Sequence, residues 1–144
     1  MKFNVSHTDK ISLLAFTKET EIGVDLERLD RKIEVEEIAK RFFAPAEIRR
    51  LLALPSERRP IGFFNCWTRK EAIIKALGTG LAMPLDKYEV SLSSKSEKVK
   101  LIETHGGQED VQEWSLFSLA PKPGYVGAVA LKGPVEDLKC WSWR

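Results

Sequence analysis

Two carboxylates lie two residues apart in a short segment of alternating apolar and polar residues, Ile22–Glu27. If the segment is a β-strand, its apolar side chains point to one face, and Asp25 and Glu27 point to the other. Carboxylate oxygens on one face are suitable ligands for a hard divalent cation such as Mg2+. An isolated Asp-x-Glu pair is also typical of a solvated strand face, so the pair alone does not establish a metal site.

A third carboxylate, Glu71, lies in a segment with helical spacing, Trp67–Lys75. Trp67, Glu71 and Lys75 recur every four residues, which predicts that they share one side of a helix. A glutamate one turn from a lysine can hold a metal or accept a proton while the ammonium contacts a phosphate. The alternative is an ordinary i,i+4 surface pair, worth about 0.2–0.5 kcal/mol. Together with the strand pair, Glu71 suggests metal-assisted phosphoryl chemistry.

A polar segment, Asn4–Thr8, ends the first predicted strand, where Ser6 and His7 could contact a ligand or simply form a turn. The sequence contains neither a phosphate loop of the G-x-x-x-x-G-K-[ST] type nor a G-x-S-x-G nucleophile motif. With two histidines in the chain, a histidine-based zinc site is nearly excluded.

Length and composition predict one domain over residues 1–144, because 43% of the residues are apolar and 31% are charged. A net charge of +2 argues against bulk binding to nucleic acid or to an anionic membrane. We find no apolar run near the ~20 residues of a membrane span and no secretory signal at the N-terminus. Cys66 and Cys140 form no C-x-x-C motif, and we expect reduced core thiols in a cytoplasmic protein.

The order of the predicted elements is strands, then helices, then strands, which indicates an α+β fold with an antiparallel sheet packed against a long helix. The first three strands, predicted to form an antiparallel meander, are Phe3–Ser6, Ile11–Thr17 and Glu21–Leu26. The predicted helices are Glu34–Phe43, Pro45–Leu54 and Pro60–Leu77, the last ended by Gly78 and Gly80. The later strands are Tyr88–Leu92, Val99–Glu103, Glu113–Ala120 and Tyr125–Leu131.

Five segments, in this order, resemble the signature of the 4′-phosphopantetheinyl transferases, and more closely that of their Sfp-type branch. They are Asn4–Thr8, Ile22–Glu27, Lys40–Phe43, Trp67–Lys75 and Gly78-x-Gly80-Leu81-x-x-Pro84-Leu85. Each motif alone is weak, whereas five in order are specific. The resemblance implies the transferase-like α+β fold and corresponds to one half, the second, of the Sfp-type pseudodimer.

The resemblance implies an enzyme that transfers the 4′-phosphopantetheine arm of coenzyme A to a serine of an apo acyl or peptidyl carrier protein and releases 3′,5′-ADP. By the same resemblance, Asp25, Glu27 and Glu71 would bind Mg2+, for which Mn2+ could substitute. Glu71 would also be the base for the carrier serine, and Lys75 would contact the pyrophosphate of coenzyme A.

Further roles are implied for residues around these positions. Ser6 and His7 would bind the 3′-phosphate end of coenzyme A, Lys70 would assist phosphate binding, and Trp67 would serve packing. For the acidic carrier protein we expect a docking surface that includes Arg41, Phe42, Phe43 and the helix Pro45–Leu54.

The first half of the pseudodimer has no counterpart in this sequence. The chain could self-associate into a homo-oligomer, be a compact enzyme with a poorer pocket, or be a fragment of a longer protein, and we favour self-association. Two competing functions stay open. One is a non-catalytic module that binds a carrier protein or coenzyme A, and the other is a metal-dependent phosphotransferase of unrelated fold.

Overall fold

The computed structural model describes residues 1–8, 10–78, 84–93, 99, 101–104, 113–135 and 137–143. The strands are β1 (Lys2–His7), β2 (Ser12–Thr17), β3 (Ile22–Arg28), β4 (Tyr88–Val90), β5 (Leu101–Thr104), β6 (Trp114–Leu119) and β7 (Tyr125–Lys132). The helices are α1 (Val35–Phe42), α2 (Pro45–Ala53) and α3 (Arg59–Leu77), with 3-10 turns at Ser56–Arg58 and Leu85–Lys87. The α+β prediction is confirmed, and each predicted helix and strand agrees to within two residues.

The central sheet has the strand order β3-β7-β6, and both pairings are antiparallel. The predicted meander is wrong in its third strand. β1 and β2 form a separate hairpin, while β3 pairs along its length with β7, placing Asp25 opposite Ala128. β4 and β5 form a third, short antiparallel pair.

Side chains from β1 and α3 satisfy the other edge of β3. Asn4 Oδ1 accepts a hydrogen bond from Val24 N at 3.0 Å, and Ser6 Oγ accepts one from Leu26 N at 3.1 Å. The hairpin therefore lies beside β3 without extending the backbone ladder. This arrangement explains why the meander is not formed, since an edge N–H needs a partner but not a backbone partner.

Helix α3 packs against one face of the central sheet, and the β1–β2 hairpin contributes to the apolar cluster on the other. Alternation along β7 divides its side chains, with Ala128 and Ala130 in the main core and Val129 and Leu131 in the second cluster. Gly78 ends α3 in the left-handed conformation, at φ +71°, as predicted. Gly80 lies outside the described residues.

Gly23 sets the distance between α3 and β3. A Cβ built at this position would lie 1.9 Å from the carbonyl oxygen of Ala72 and 2.5 Å from the amide nitrogen of Ala76. These separations are far below contact distance, so only glycine permits this approach of helix to strand.

Cys66 is buried, as predicted for a core thiol, but Cys140 is exposed, which corrects that part of the prediction. The reason is position, because Cys140 lies in a segment after β7 that forms no helix or strand. Within the described ranges, no helix is both long enough and apolar enough to cross a bilayer.

Candidate functional site

The pleat of β3 turns Gly23, Asp25 and Glu27 toward the side on which α3 packs. Helix α3 contributes Glu71 and Lys75 directly before Ala72 and Ala76, the two residues whose backbone touches Gly23. The close contact at Gly23 thus brings the polar groups of the strand and of the helix to one place.

The carboxylate of Asp25 has few groups around it that would stabilise its negative charge. Burial, followed by the negative charges of Glu27 and Glu71, raises the pKa of Asp25 to about 8, although Lys75 opposes the shift. One oxygen, Oδ1, accepts a long hydrogen bond of 3.4 Å from Ser6 Oγ. The other, Oδ2, is buried and has no hydrogen-bond partner in the structure. A buried carboxylate oxygen without a partner is costly unless a cation or a proton satisfies it.

Glu71 and Lys75 share this electrostatic environment. Burial raises the pKa of Glu71, with Lys75 lowering it and Glu27 adding to the rise. Burial lowers the pKa of Lys75, against the opposing charges of Asp25 and Glu71. Lys75 Nζ donates to Val5 O at 2.8 Å and to Val24 O at 2.6 Å, so its ammonium spans the gap between β1 and β3.

Glu27 is engaged by Arg31, a member of the basic cluster Arg28/Arg31/Lys32 in the sequence. Arg31 Nη1 donates to Glu27 Oε2 at 2.6 Å. Among the described residues, no three acidic, histidine or cysteine side chains are gathered as a ready-made metal cluster. The structure therefore brings Asp25, Glu27 and Glu71 within electrostatic range of one another but does not gather them around one point.

An open cleft of about 540 Å³ begins at the strand pair. Its lining residues are Ser6, His7, Thr8, Asp25, Leu26, Glu27, Arg28 and Arg31. Carboxylates and guanidinium groups thus line the same cleft, a combination that suits a ligand carrying both a divalent cation and phosphate. The chemistry of the donors fits a hard divalent cation such as Mg2+ or Mn2+, because Asp25 and Glu27 line the cleft with carboxylate oxygens and Asp25 Oδ2 has no partner.

Ser6 and His7 have different surroundings. His7 is exposed at the end of β1, whereas Ser6 is buried and its hydroxyl bonds to Leu26 N and Asp25. Asn4, which received no role from the sequence, makes the neighbouring bond to Val24 N. Alternation along β1 is the signal that could have found it, since Asn4 and Ser6 lie on the same face.

Lys70 is not brought to the site. Its side chain is fully buried on another side of α3, and Nζ donates to Glu47 Oε1 at 2.6 Å and to the carbonyl of Tyr88. Both acceptors belong to the protein, so this placement gives no support to a phosphate-binding role. Trp67 does serve packing, as predicted, with its ring stacked on Phe63 at 5.8 Å.

The surface expected to dock a carrier protein is only partly exposed. Arg41 and Phe42 are exposed on α1, and the guanidinium of Arg41 lies 5.3 Å from the centre of the Phe42 ring. Phe43 is buried and stacks on Phe63 at 5.2 Å, so it is not available for docking.

Comparison with known proteins identifies the family. Residues 21–130 match the model of the 4′-phosphopantetheinyl transferase superfamily. The chain belongs to this superfamily. It is 38% identical to the 4′-phosphopantetheinyl transferase HetI of a Nostoc species, over 98% of this chain and 56% of that protein. It is 36% identical to the 4′-phosphopantetheinyl transferase Sfp of Bacillus subtilis, over 99% of this chain and 61% of that protein.

The transferase fold is also seen in a solved structure. The holo-[acyl-carrier-protein] synthase of Thermotoga maritima superposes with a TM-score of 0.56 at 21% identity, over 80% of this chain and 64% of that one. The chain spans a little more than half the length of the transferases HetI and Sfp.

Proposed function

We propose that the chain transfers the 4′-phosphopantetheine arm of coenzyme A to a serine hydroxyl of an apo acyl or peptidyl carrier protein. The observation that carries the proposal is the close contact of α3 with β3 at Gly23, which brings Asp25 into electrostatic range of Glu71 and Lys75, in a chain of the transferase superfamily. In the reaction, the serine oxygen attacks the β-phosphorus of coenzyme A, and the bond from that phosphorus to 3′,5′-ADP breaks.

Asp25, Glu27 and Glu71 would hold Mg2+ or Mn2+, and Lys75 lies beside them. When bound, such a cation neutralises negative charge on the pyrophosphate. The unpartnered oxygen of Asp25 and the raised pKa values of Asp25 and Glu71 support this assignment, because burial, and next to it neighbouring negative charge, disfavours the charged form of both carboxylates, which a bound cation would stabilise.

Glu71 would accept the proton of the carrier serine. Burial raises the pKa of Glu71, and a carboxylate whose pKa is raised toward the working pH is a better general base than an exposed one. The proton thus goes from the serine hydroxyl to Glu71 as the new oxygen–phosphorus bond forms.

Lys75 and His7 would contact the anionic parts of coenzyme A. An ammonium has three N–H donors, and Lys75 uses two of them on Val5 O and Val24 O, which leaves a third for a pyrophosphate oxygen. His7 is exposed at the rim of the cleft and would meet the 3′-phosphate. We propose that Ser6 contributes chiefly by fixing β1 against β3, because its hydroxyl already bonds there.

Arg41 and Phe42 on α1 would form part of the surface that receives the carrier protein. They combine a positive charge with an exposed ring, which suits an acidic partner that also has apolar side chains.

The test is mass spectrometry of an apo carrier protein incubated with the chain, coenzyme A and Mg2+. We expect the carrier to gain one phosphopantetheine group, and we expect Glu71→Gln to abolish the gain with no change in the unfolding temperature. Glu57→Gln, on the exposed 3-10 turn, is the matched control and should leave the gain unchanged.

A second candidate, a module that binds carrier protein without transfer, is favoured by the absence of a gathered metal cluster among the described residues. Carrier binding with no mass gain, across several carriers, would select the binding module. Transfer of a phosphoryl group from ATP, without transfer from coenzyme A, would exclude both the phosphopantetheinyl transferase and the binding module.

A further inference from the structure

The turn that follows β3 places Arg31 at the cleft, beside Glu27. Arg28 forms a two-point pair with Asp30, Nε to Oδ1 at 2.9 Å and Nη2 to Oδ2 at 3.0 Å. Leu29 N donates to Gly124 O at 2.9 Å and fixes the start of the same turn. Arg31 therefore follows a turn of defined shape, and its contact with Glu27 is not the i,i+4 neighbourhood of a helix.

The two partners of this ion pair differ in exposure. The side chain of Glu27 is 16% exposed, whereas that of Arg31 is 50% exposed. Half of the Arg31 side chain is already in water, so its guanidinium group can leave Glu27 and be hydrated at small cost to itself. The carboxylate, in contrast, stays in the cleft and needs a cation whenever Arg31 leaves.

The surroundings offer Arg31 a second partner when a phosphate is bound. Arg31 and Glu27 line the same cleft as Asp25, whose Oδ2 has no partner. A guanidinium group binds a phosphate through paired N–H donors, which is a stronger interaction than its half-exposed pair with a carboxylate.

We propose that Arg31 exchanges partners, neutralising Glu27 until a divalent cation binds there and then pairing with a phosphate of the substrate. The inference rests on the proposed function for its cation and phosphate. It is consistent with the structure, in which an oxygen of Glu27 is held by Arg31 and Asp25, Glu27 and Glu71 are not gathered as a cluster.

The exchange predicts opposite effects of one substitution on two ligands. Arg31→Gln removes the competitor for Glu27, so Mn2+ alone should bind about two- to fivefold more tightly. The same change removes a phosphate ligand, so a preformed manganese–diphosphate complex should bind about tenfold more weakly. Calorimetric titration measures both affinities without any turnover.

Two variants serve as controls. Lys32→Gln removes the same charge from the next residue, which is exposed and does not line the cleft, and should leave both affinities within twofold of wild type. Arg31→Lys keeps the charge and should restore part of the diphosphate affinity.

The outcomes separate this inference from the proposed function. An Arg31→Gln protein that binds Mn2+ as wild type does, or binds both ligands more weakly, overturns the exchange and leaves the cation site standing. A wild-type protein that binds no Mn2+ overturns the cation site and the exchange together.

Discussion

The carboxylate of Asp25 is placed where its charge is disfavoured and its second oxygen has no partner. Ser6 and Lys75 lie beside it, but both also form hydrogen bonds with the backbone of β3, at Leu26 N and Val24 O respectively. Such a carboxylate adds no stability to the fold, and a strongly shifted pKa in a cleft marks a candidate ligand-binding group.

Cys66 should be inert in the folded protein. Burial raises the pKa of the Cys66 thiol well above its usual range, so the reactive thiolate is not formed at pH 8. We expect a disulfide reagent to modify the exposed Cys140 alone in the native protein and both thiols after unfolding in urea. The Cys66 thiol loses its proton at a lower pH in the unfolded state than in the folded state. The free energy of unfolding should therefore fall as the pH rises above about 9. Two equivalents of reagent consumed by the native protein would contradict this assignment.

The identities of the three acidic residues were predictable, but their partners were not. A period of two assigns Asp25 and Glu27 to one face, and a period of four relates Glu71 to Lys75. The pair between Glu27 and Arg31 depends on the turn at residues 29–30, which is fixed by a hydrogen bond from Leu29 N to Gly124 O in the distant turn before β7. Local periodicity does not encode such contacts.

The junction of β3 and α3 depends on the missing side chain of Gly23. In Gly23→Ala the new methyl group would overlap the backbone of Ala72 and Ala76, so the helix must move away from the strand. We expect a loss of about 3 kcal/mol in the free energy of unfolding, measured in urea, and a loss of transfer activity.

Gly124→Ala is the control for this experiment. Gly124 has a positive φ of +86° but open space around it, so alanine should cost only about 1 kcal/mol there. Equal stabilities for the two variants would contradict the proposed role of Gly23.

The buried pair of Glu47 and Lys70 fixes α3 against α2 and β4. Glu47 also accepts hydrogen bonds from Ala44 N and Val90 N, each at 2.8 Å, and Lys70 donates to Tyr88 O. Lys70→Met should cost about 3–5 kcal/mol of unfolding free energy, because it leaves a buried carboxylate unpaired.

The double variant Glu47→Gln/Lys70→Met tests this reasoning. It removes both charges while glutamine still accepts a hydrogen bond, so it should be more stable than Lys70→Met alone, as measured by urea unfolding. Additive losses from the two single substitutions would show that the two charges are not coupled.

Elements were predicted well because each has a local signature, such as Pro45 at the start of α2 or Gly78 at the end of α3. The pairing of strands was predicted less well. β3 bonds to β7, about a hundred residues later, and no signal within the first thirty residues indicates that choice.

At the scale of the molecule, an apolar surface lies on the outer face of the β1–β2 hairpin. Phe3, Leu14 and Phe16 are 66%, 57% and 58% exposed, and Val5 lies between them. We propose that this face mediates self-association. The sedimentation mass at micromolar concentration should exceed the 16.3 kDa of one chain, and Phe3→Ser/Phe16→Ser should return it to that value.

Ile102→Ser, an exposed apolar residue on β5, should leave the sedimentation mass unchanged. A wild-type mass of one chain at tens of micromolar would contradict self-association through the hairpin.

The most direct test measures Mn2+ binding by electron paramagnetic resonance. The proteins compared are the wild type and the variants Asp25→Asn, Glu27→Gln and Glu71→Gln. We predict that the wild-type protein binds one Mn2+ and that each substitution weakens binding at least tenfold, since each removes a carboxylate ligand. Wild-type affinity in the Glu71→Gln protein would contradict a site shared between β3 and α3.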